Sequence, residues 1–217
     1  MGAGGHGRGI LESIVASLAE QVRNPSGAGP VLGFLDDGDQ MSGREIAGVP
    51  IVGRLDSAPE WIARGCRFLV GLGDPLPRAR VVNQLQSWGA EFASVVHPRA
   101  TLYREVEVGE GSVIAAGVVI AASTRLGAHT LINLNATVGH DNTLEDFATV
   151  CPGANLGGGV TLKTGAFVAL GVTIIPGVEM GAWSKVGPNS AVLEDVGEGR
   201  IVFGSPARLV GRTTERP

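Results

Sequence analysis

The sequence predicts a two-part protein: a small α/β unit with Rossmann-like features over residues 1–95, a parallel β-helix over 96–198, and a tail over 199–217. Three observations predict this. From Leu102 to Val192, sixteen positions spaced six apart are all Leu, Ile, Val or Met, with no miss and no insertion. The residue two before each is Ala, Ser, Thr or Val, except at Asn142. Upstream of His97, short apolar runs alternate with segments of helical spacing instead.

A period of six fits neither the 3.6-residue turn of a helix nor simple strand alternation. It reports a larger coil in which each hexad supplies one short strand and one corner, the sequence signature of a hexapeptide β-helix. Three hexads make an 18-residue triangular coil, with the aliphatic side chain inside and the small residue packed beside it. Successive coils stack as parallel strands, so the prism is roughly 25 Å long at about 4.8 Å per coil. Each buried aliphatic contributes about 1.5–3 kcal/mol, and the column as a whole offsets much of the chain entropy. The repeat does not set the handedness.

In the first 95 residues, Ile10, Leu11, Ile14, Val15, Leu18 and Val22 fall at helical spacing and predict a helix over roughly 8–23. Val31 to Leu35 reads as a strand running into an Asp36-Asp37-Gly38 turn. A second helix near 56–64 precedes a strand at Arg67 to Val70. Asp74 and Pro75 form an N-cap and first-turn pair, and Gly89 closes a helix of about 14 residues. Glu91 to Val96 returns as a strand, with His97-Pro98 as the junction. This alternation implies one small parallel α/β sheet.

Gly2-Ala3-Gly4-Gly5-His6-Gly7 satisfies G-x-G-x-x-G directly before the first helix, where backbone N–H groups can approach a phosphate. A Rossmann unit places a strand ahead of that turn, and here the sequence begins at Met1, so either the true start lies upstream and the first strand has been lost, or the expected sheet manages without its central strand. A Gly-rich turn with no ligand is the plain alternative.

Composition bounds the partners. A net charge of −4 with 18% charged residues gives no basic patch, so nucleic acid is not an expected partner. Two cysteines, Cys66 and Cys151, lie in different segments and suggest neither a disulfide framework nor a metal site. No apolar stretch approaches spanning length and the N-terminus lacks a signal-peptide layout, so a cytoplasmic protein is expected.

The sharper constellation is in the prism. His140 follows Gly139 at a corner, Asp141 stands beside it, and the one break in the small-residue column, Asn142, comes next. Residue 158 is one coil on, so Gly158 should lie about 4.8 Å away along the axis. A histidine base beside an outward amide donor has the parts for acyl transfer.

These motifs, with Val96-His97-Pro98, the segment Asn133 to Asp141 and the tail Phe203-Gly204-Ser205-Pro206-Ala207, resemble one family: the hexapeptide-repeat acyltransferases of the sialic acid O-acetyltransferase and UDP-4-amino-sugar N-acetyltransferase group. The resemblance covers nearly the whole chain. It implies a left-handed prism, a homotrimer, acetyl-CoA bound between neighbouring prisms, and a nucleotide-linked sugar or sialic acid held by the N-terminal domain. It implies that His140 is the general base, Asp141 its carboxylate partner, and Gly158 the amide that receives the thioester oxygen. Asn133 would lie near the acceptor, and Gly4, Gly5, His6, Asp36 and Asp37 would hold the sugar nucleotide. Leu170 and Pro188, 18 residues apart and so in one column, would meet CoA. Some members carry a second histidine where Thr149 stands, so its role toward the thioester would fall to a hydroxyl or to nothing. Several carry Glu in place of Asp141.

The expected activity is therefore direct acetyl transfer from acetyl-CoA to an amine or hydroxyl of a sugar, with no metal. A zinc enzyme of similar shape would need three converging histidines, and His97, His129 and His140 share no column. A nicotinamide-dependent enzyme would leave the hexads idle. A non-catalytic scaffold or sugar-nucleotide-binding protein is the different-class alternative. Cys151 could carry an acyl group but reads better as a small buried thiol. Lys163, Lys185 and Arg208 could meet CoA phosphates or be solvated surface charges.

Overall fold

The structure is a computed structural model that describes residues 31–38 and 44–213, with Ser13. Of the helix expected over 8–23 only Ser13, which is helical, is among the described residues, and the Gly2–Gly7 motif lies outside them.

In the α/β unit, β1 (Phe34–Leu35) pairs in parallel with β3 (Val49–Gly53), and β2 (Glu45–Ile46) pairs antiparallel with β3. The β2–β3 hairpin turns on Ala47 and Gly48, both at positive φ, as a two-residue hairpin requires. A 3₁₀ turn (Leu55–Ser57) leads into α1 (Ala58–Ala63), then β4 (Arg67–Phe68), α2 (Pro75–Ser87) and β5 (Glu91–Phe92), which pairs in parallel with β4. The Asp74 carboxylate accepts from the Leu76 N–H and caps α2, and Gly89 at φ 83° ends it. Among the described residues the strands fall into two small sheets, not the single sheet expected. Leu35, Phe68 and Phe92 nevertheless share one core with Ala58, Val82 and Leu85, so helix packing joins what hydrogen bonds do not.

The strand expected over Glu91 to Val96 divides. Glu91–Phe92 stays in the α/β unit, while β6 (Val95–Val96) pairs with Val113–Ile114 of the prism. From there every coil pairs in parallel with the next at a shift of 18 residues, as at Thr137↔Asn155 and Thr143↔Thr161. The three faces carry six, five and eight strands; in the last, Arg200–Phe203 and Arg208–Arg212 form a C-terminal hairpin that continues from Lys185–Val186. The aliphatic column is buried from Ile114 to Val192, and only Leu102 and Val108, in the first coil, are partly exposed.

The repeat also fixes backbone conformation. Every sixth residue from Glu105 to Asn189 has positive φ, between 53° and 78°. Seven of these corners are Gly and the other eight include His129, Asp141, Phe147 and Trp183. A Cβ costs energy in this region, least for Asn, Asp and His.

The two parts are locked by Arg78, which α2 carries into the junction at 2% exposure. Its guanidinium donates to the carbonyls of Leu72 (2.6 Å) and Gly73 (3.0 Å) on one side. On the prism side it donates to His129 O (3.2 Å), Phe147 O (2.7 Å) and Thr149 Oγ1 (2.6 Å). Burial pulls its pKa down to about 10, which leaves it charged at neutral pH. Replacing Arg78 by Ala strands these acceptors, and urea unfolding should show a loss of about 3 kcal/mol.

His129 lies in the same junction. Its ring stacks on Phe147 at 5.3 Å, meets the Phe92 edge at 4.6 Å, and leaves both ring nitrogens without a hydrogen-bond partner. Burial, helped by the Arg78 charge, lowers its pKa to about 4. The unfolded chain binds this proton near pH 6.5 and the folded one does not until about pH 4. Stability from this residue is thus present above pH 6.5 and lost as pH falls toward 4. His129→Phe, which keeps a ring at a corner conformation that Phe147 also adopts, should flatten thermal stability against pH in that window.

Candidate active site

The His140 corner begins with bare backbone. A Cβ on Gly139 would stand 2.6 Å from Gly157 C, and one on Gly157 would stand 2.6 Å from Pro176 N, so two glycines let three coils approach closely. His140 projects from this platform with a 71% exposed side chain. Its Nδ1 is 2.6 Å from Asp141 Oδ2. Asp141 holds φ 58° at the corner, a conformation its short polar side chain tolerates. With Nδ1–H donating to the carboxylate, Nε2 keeps a free lone pair.

The ring lies over the next coil. A Cβ built on Gly158 would fall 2.6 Å from both His140 Cε1 and Nε2, so only glycine leaves room for the imidazole. Gly159 N donates to His140 O at 2.8 Å and fixes the stacking. At the same hexad position as Gly158, the N–H of Ala128 donates to Asp146 Oδ1 (2.7 Å) and that of Thr164 to Glu145 Oε2 (3.0 Å). Peptide N–H groups at this position therefore point outward and bind anionic oxygen. Among the described residues Gly158 N–H donates to no protein group, so it offers the same donor directly beside the imidazole.

Asn142 sits beneath this corner at 1% exposure. Its Nδ2 donates to Gly139 O and Gly157 O, both at 3.0 Å, and its Oδ1 accepts from Val160 N. The sequence marks it only as a polar break in a column of small residues.

The remaining candidates lie elsewhere. Leu170, 55% exposed, and Pro188 share a different edge with Leu134 and Pro152, as the 18-residue step requires. Asn133 is half-buried on that edge, and its Oδ1 accepts from Leu134 N at 2.8 Å. The structure corrects the reading of Thr149 as a residue facing CoA. It is 1% exposed under the N-terminal domain, and its hydroxyl is taken by Arg78. Asp37 Oδ1 accepts from Leu55 N (2.9 Å) and Asp36 Oδ1 from Gly38 N (2.8 Å), which orders the loop at the carboxyl end of β1, where ligands of parallel α/β sheets bind. Gly4, Gly5 and His6 lie outside the described residues.

Other weighed residues resolve similarly. Cys151 is buried and its thiol is pushed up to about 11, so it is a poor nucleophile. Lys163 pairs with Glu145 at 3.2 Å, Lys185 with Asp74 at 3.2 Å and Arg208 with Glu194 at 3.4 Å. His129 is enclosed in the junction and His97 Nδ1 accepts from Arg99 N, so neither approaches His140 as a zinc triad would. In the sequence, Arg78 shows only as a charge in the buried stripe of Ala79, Val82 and Leu85.

Residues 1–85 match the PglD N-terminal domain family. The whole chain is similar to a crystal structure of perosamine N-acetyltransferase from Caulobacter crescentus, at 30% identity and TM-score 0.87, covering 97% of this chain and 94% of that one. This chain belongs to the PglD-like hexapeptide-repeat acetyltransferases. That Caulobacter structure is a histidine-to-asparagine variant in complex with CoA and GDP-perosamine. GDP-perosamine N-acetyltransferase of Escherichia coli O157:H7 is 27% identical over 98% of this chain and 95% of its own length. The acetyltransferase domain of PglB from Neisseria gonorrhoeae FA1090, in complex with acetyl coenzyme A, matches at 26% identity and TM-score 0.85, covering 96% of each chain. PglD-like acetyltransferases thus share with this chain both the α/β unit and the prism.

Proposed function

We propose that the chain transfers the acetyl group of acetyl-CoA to the amino group of a sugar carried on a nucleoside diphosphate. The observation that carries this reading is the stacking of the His140 imidazole, its Nδ1 held by Asp141, over the free outward N–H of Gly158. The amine attacks the thioester carbon and gives its proton to His140 Nε2. The developing oxyanion is met by Gly158 N–H, and the C–S bond then breaks while His140 returns the proton to the leaving thiolate. Asp141 stabilises the imidazolium formed in between.

The perosamine N-acetyltransferase relatives favour an amine over a hydroxyl and a GDP-linked acceptor. The Asp36-Asp37 loop, with Gly4, Gly5 and His6, is the proposed sugar-nucleotide site, and the apolar edge of Leu170 and Pro188 the proposed track for the pantetheine arm. A homotrimer supports the same reading, because Leu134, Leu170, Ile175, Leu193 and Phe203 are each exposed and a cleft between prisms suits an extended ligand. Val119 and Trp183, at other outward positions, are half-exposed, Trp183 lying over Gly165. No described helix is long and apolar enough to cross a membrane, and two free cysteines fit the proposed cytoplasmic setting.

The test is thiol release from acetyl-CoA in the presence of GDP-perosamine, UDP-linked 4-amino sugars and sialic acids, with the acceptor product identified by mass spectrometry. An alkali-stable amide on a nucleotide-linked amino sugar is the expected result. Binding of nucleotide sugars without thiol release would make the chain a binding protein instead.

A further inference from the structure

At six of the sixteen hexad corners of this prism the turn closes on itself. The N–H of the fourth hexad residue donates to the carbonyl three residues back, as in Ala136 to Asn133 (3.2 Å), Ala154 to Cys151 (3.3 Å) and Ala166 to Lys163 (2.9 Å). At the corner that carries Gly158 a buried carboxamide takes both ends of the turn. Val160 N–H donates to Asn142 Oδ1 of the preceding coil, and Gly157 O accepts from Asn142 Nδ2 at 3.0 Å. The carboxamide is inserted where the turn's own hydrogen bond would be, and its second amide proton binds Gly139 O.

The consequence follows from the peptide bond. Gly157 C=O and Gly158 N–H belong to one planar trans peptide, so they point in opposite directions. Gripping Gly157 O from inside the prism aims Gly158 N–H outward at the position beneath the His140 ring. A hydrogen bond at the carbonyl end also polarises the peptide and strengthens its N–H as a donor. Gly139 O, the second acceptor, likewise belongs to the peptide that ends in His140 N–H. One buried side chain thus holds the peptides leading into both the base and the oxyanion donor.

We propose that Asn142 is a positioning residue of acetyl transfer, orienting the Gly157–Gly158 peptide for the thioester oxygen. This rests on the acetyl-transfer reading given above. The prism itself has no need of Asn there. The same inward column carries Val106, Val160 and Val178, and all other hexads have Ala, Ser, Thr or Val at this position. A hydroxyl can perform the insertion, since Ser112 Oγ donates to Gly127 O (3.1 Å) and accepts from Thr130 N (3.1 Å) at another edge.

The test compares Asn142→Val with Asn142→Ser. The Val variant should fold with a melting temperature close to wild type, keep its KM for acetyl-CoA and its pH–rate profile, and lose kcat by about 10²-fold, the usual cost of an oxyanion donor. The Ser variant should recover most of that loss. A Val variant with kcat within about threefold of wild type, a Ser variant no better than Val, or a Val variant that no longer folds would each overturn the proposal. Crystal structures of wild type and Asn142→Val give a readout independent of turnover. The Val corner should lose its grip on Gly157 O and turn Gly158 N–H away from His140. An unmoved peptide refutes the role of Asn142, whereas wild type inactive on every acceptor refutes the acetyl-transfer reading and leaves this structural comparison to decide.

Discussion

Replacing His140 by alanine is expected to lower turnover by about 10²–10⁴-fold, the contribution of a positioned general base. Melting temperature should hardly change. The side chain is 71% exposed and its only side-chain partner among the described residues is Asp141, itself 66% exposed, so its removal opens no cavity and strands no described buried group. Circular dichroism and thiol-release kinetics on the same preparation separate the two effects. Near-normal turnover in the folded variant would take His140 out of the mechanism.

The second large effect is expected at Gly158, where alanine should cost about 10²-fold in kcat, the order that displacing a reacting group by an ångström produces. The new Cβ would stand 2.6 Å from two atoms of the His140 ring, and the exposed ring is free to swing aside. The fold should survive, because Gly158 lies outside the positive-φ region and the backbone N–H is kept. The loss would therefore come from the base leaving its donor. If so, the double variant His140→Ala with Gly158→Ala should be little worse than His140→Ala alone, since neighbours acting as one unit are not additive. Additive losses would mean that His140 and Gly158 act separately.

Much of this corner is legible in the sequence, for a simple reason. An uninterrupted six-residue period leaves the chain one way to wind, so arithmetic in steps of 18 places Gly158 over His140 and Pro188 over Leu170. Asn142 stands out because a buried carboxamide in a column of small residues demands partners. The identity of those partners is not legible, because they are backbone atoms whose direction depends on how each corner turns. The positive φ at the third hexad position is similarly hidden, since Gly occupies only seven of the fifteen corners from Glu105 to Asn189.

The α/β unit is less legible. Its described strands are two residues long apart from β3, too short for alternation to declare itself, and the β2–β3 hairpin turns on Ala47-Gly48 without a strong turn signature. Thr149 misleads for a different reason. Its hexad position faces outward, and only the docking of α2, which brings Arg78 onto it, buries the hydroxyl. Contacts between two domains leave no periodic trace in either.

The claim that acetyl transfer occurs at the His140 corner is tested most directly by a crystal structure of the full chain with CoA and GDP-perosamine bound together. The account predicts the acceptor amine within about 2.6–3.2 Å of His140 Nε2, with the CoA sulfur between that amine and Gly158 N–H. Both ligands bound with their reacting atoms at any other corner would contradict it.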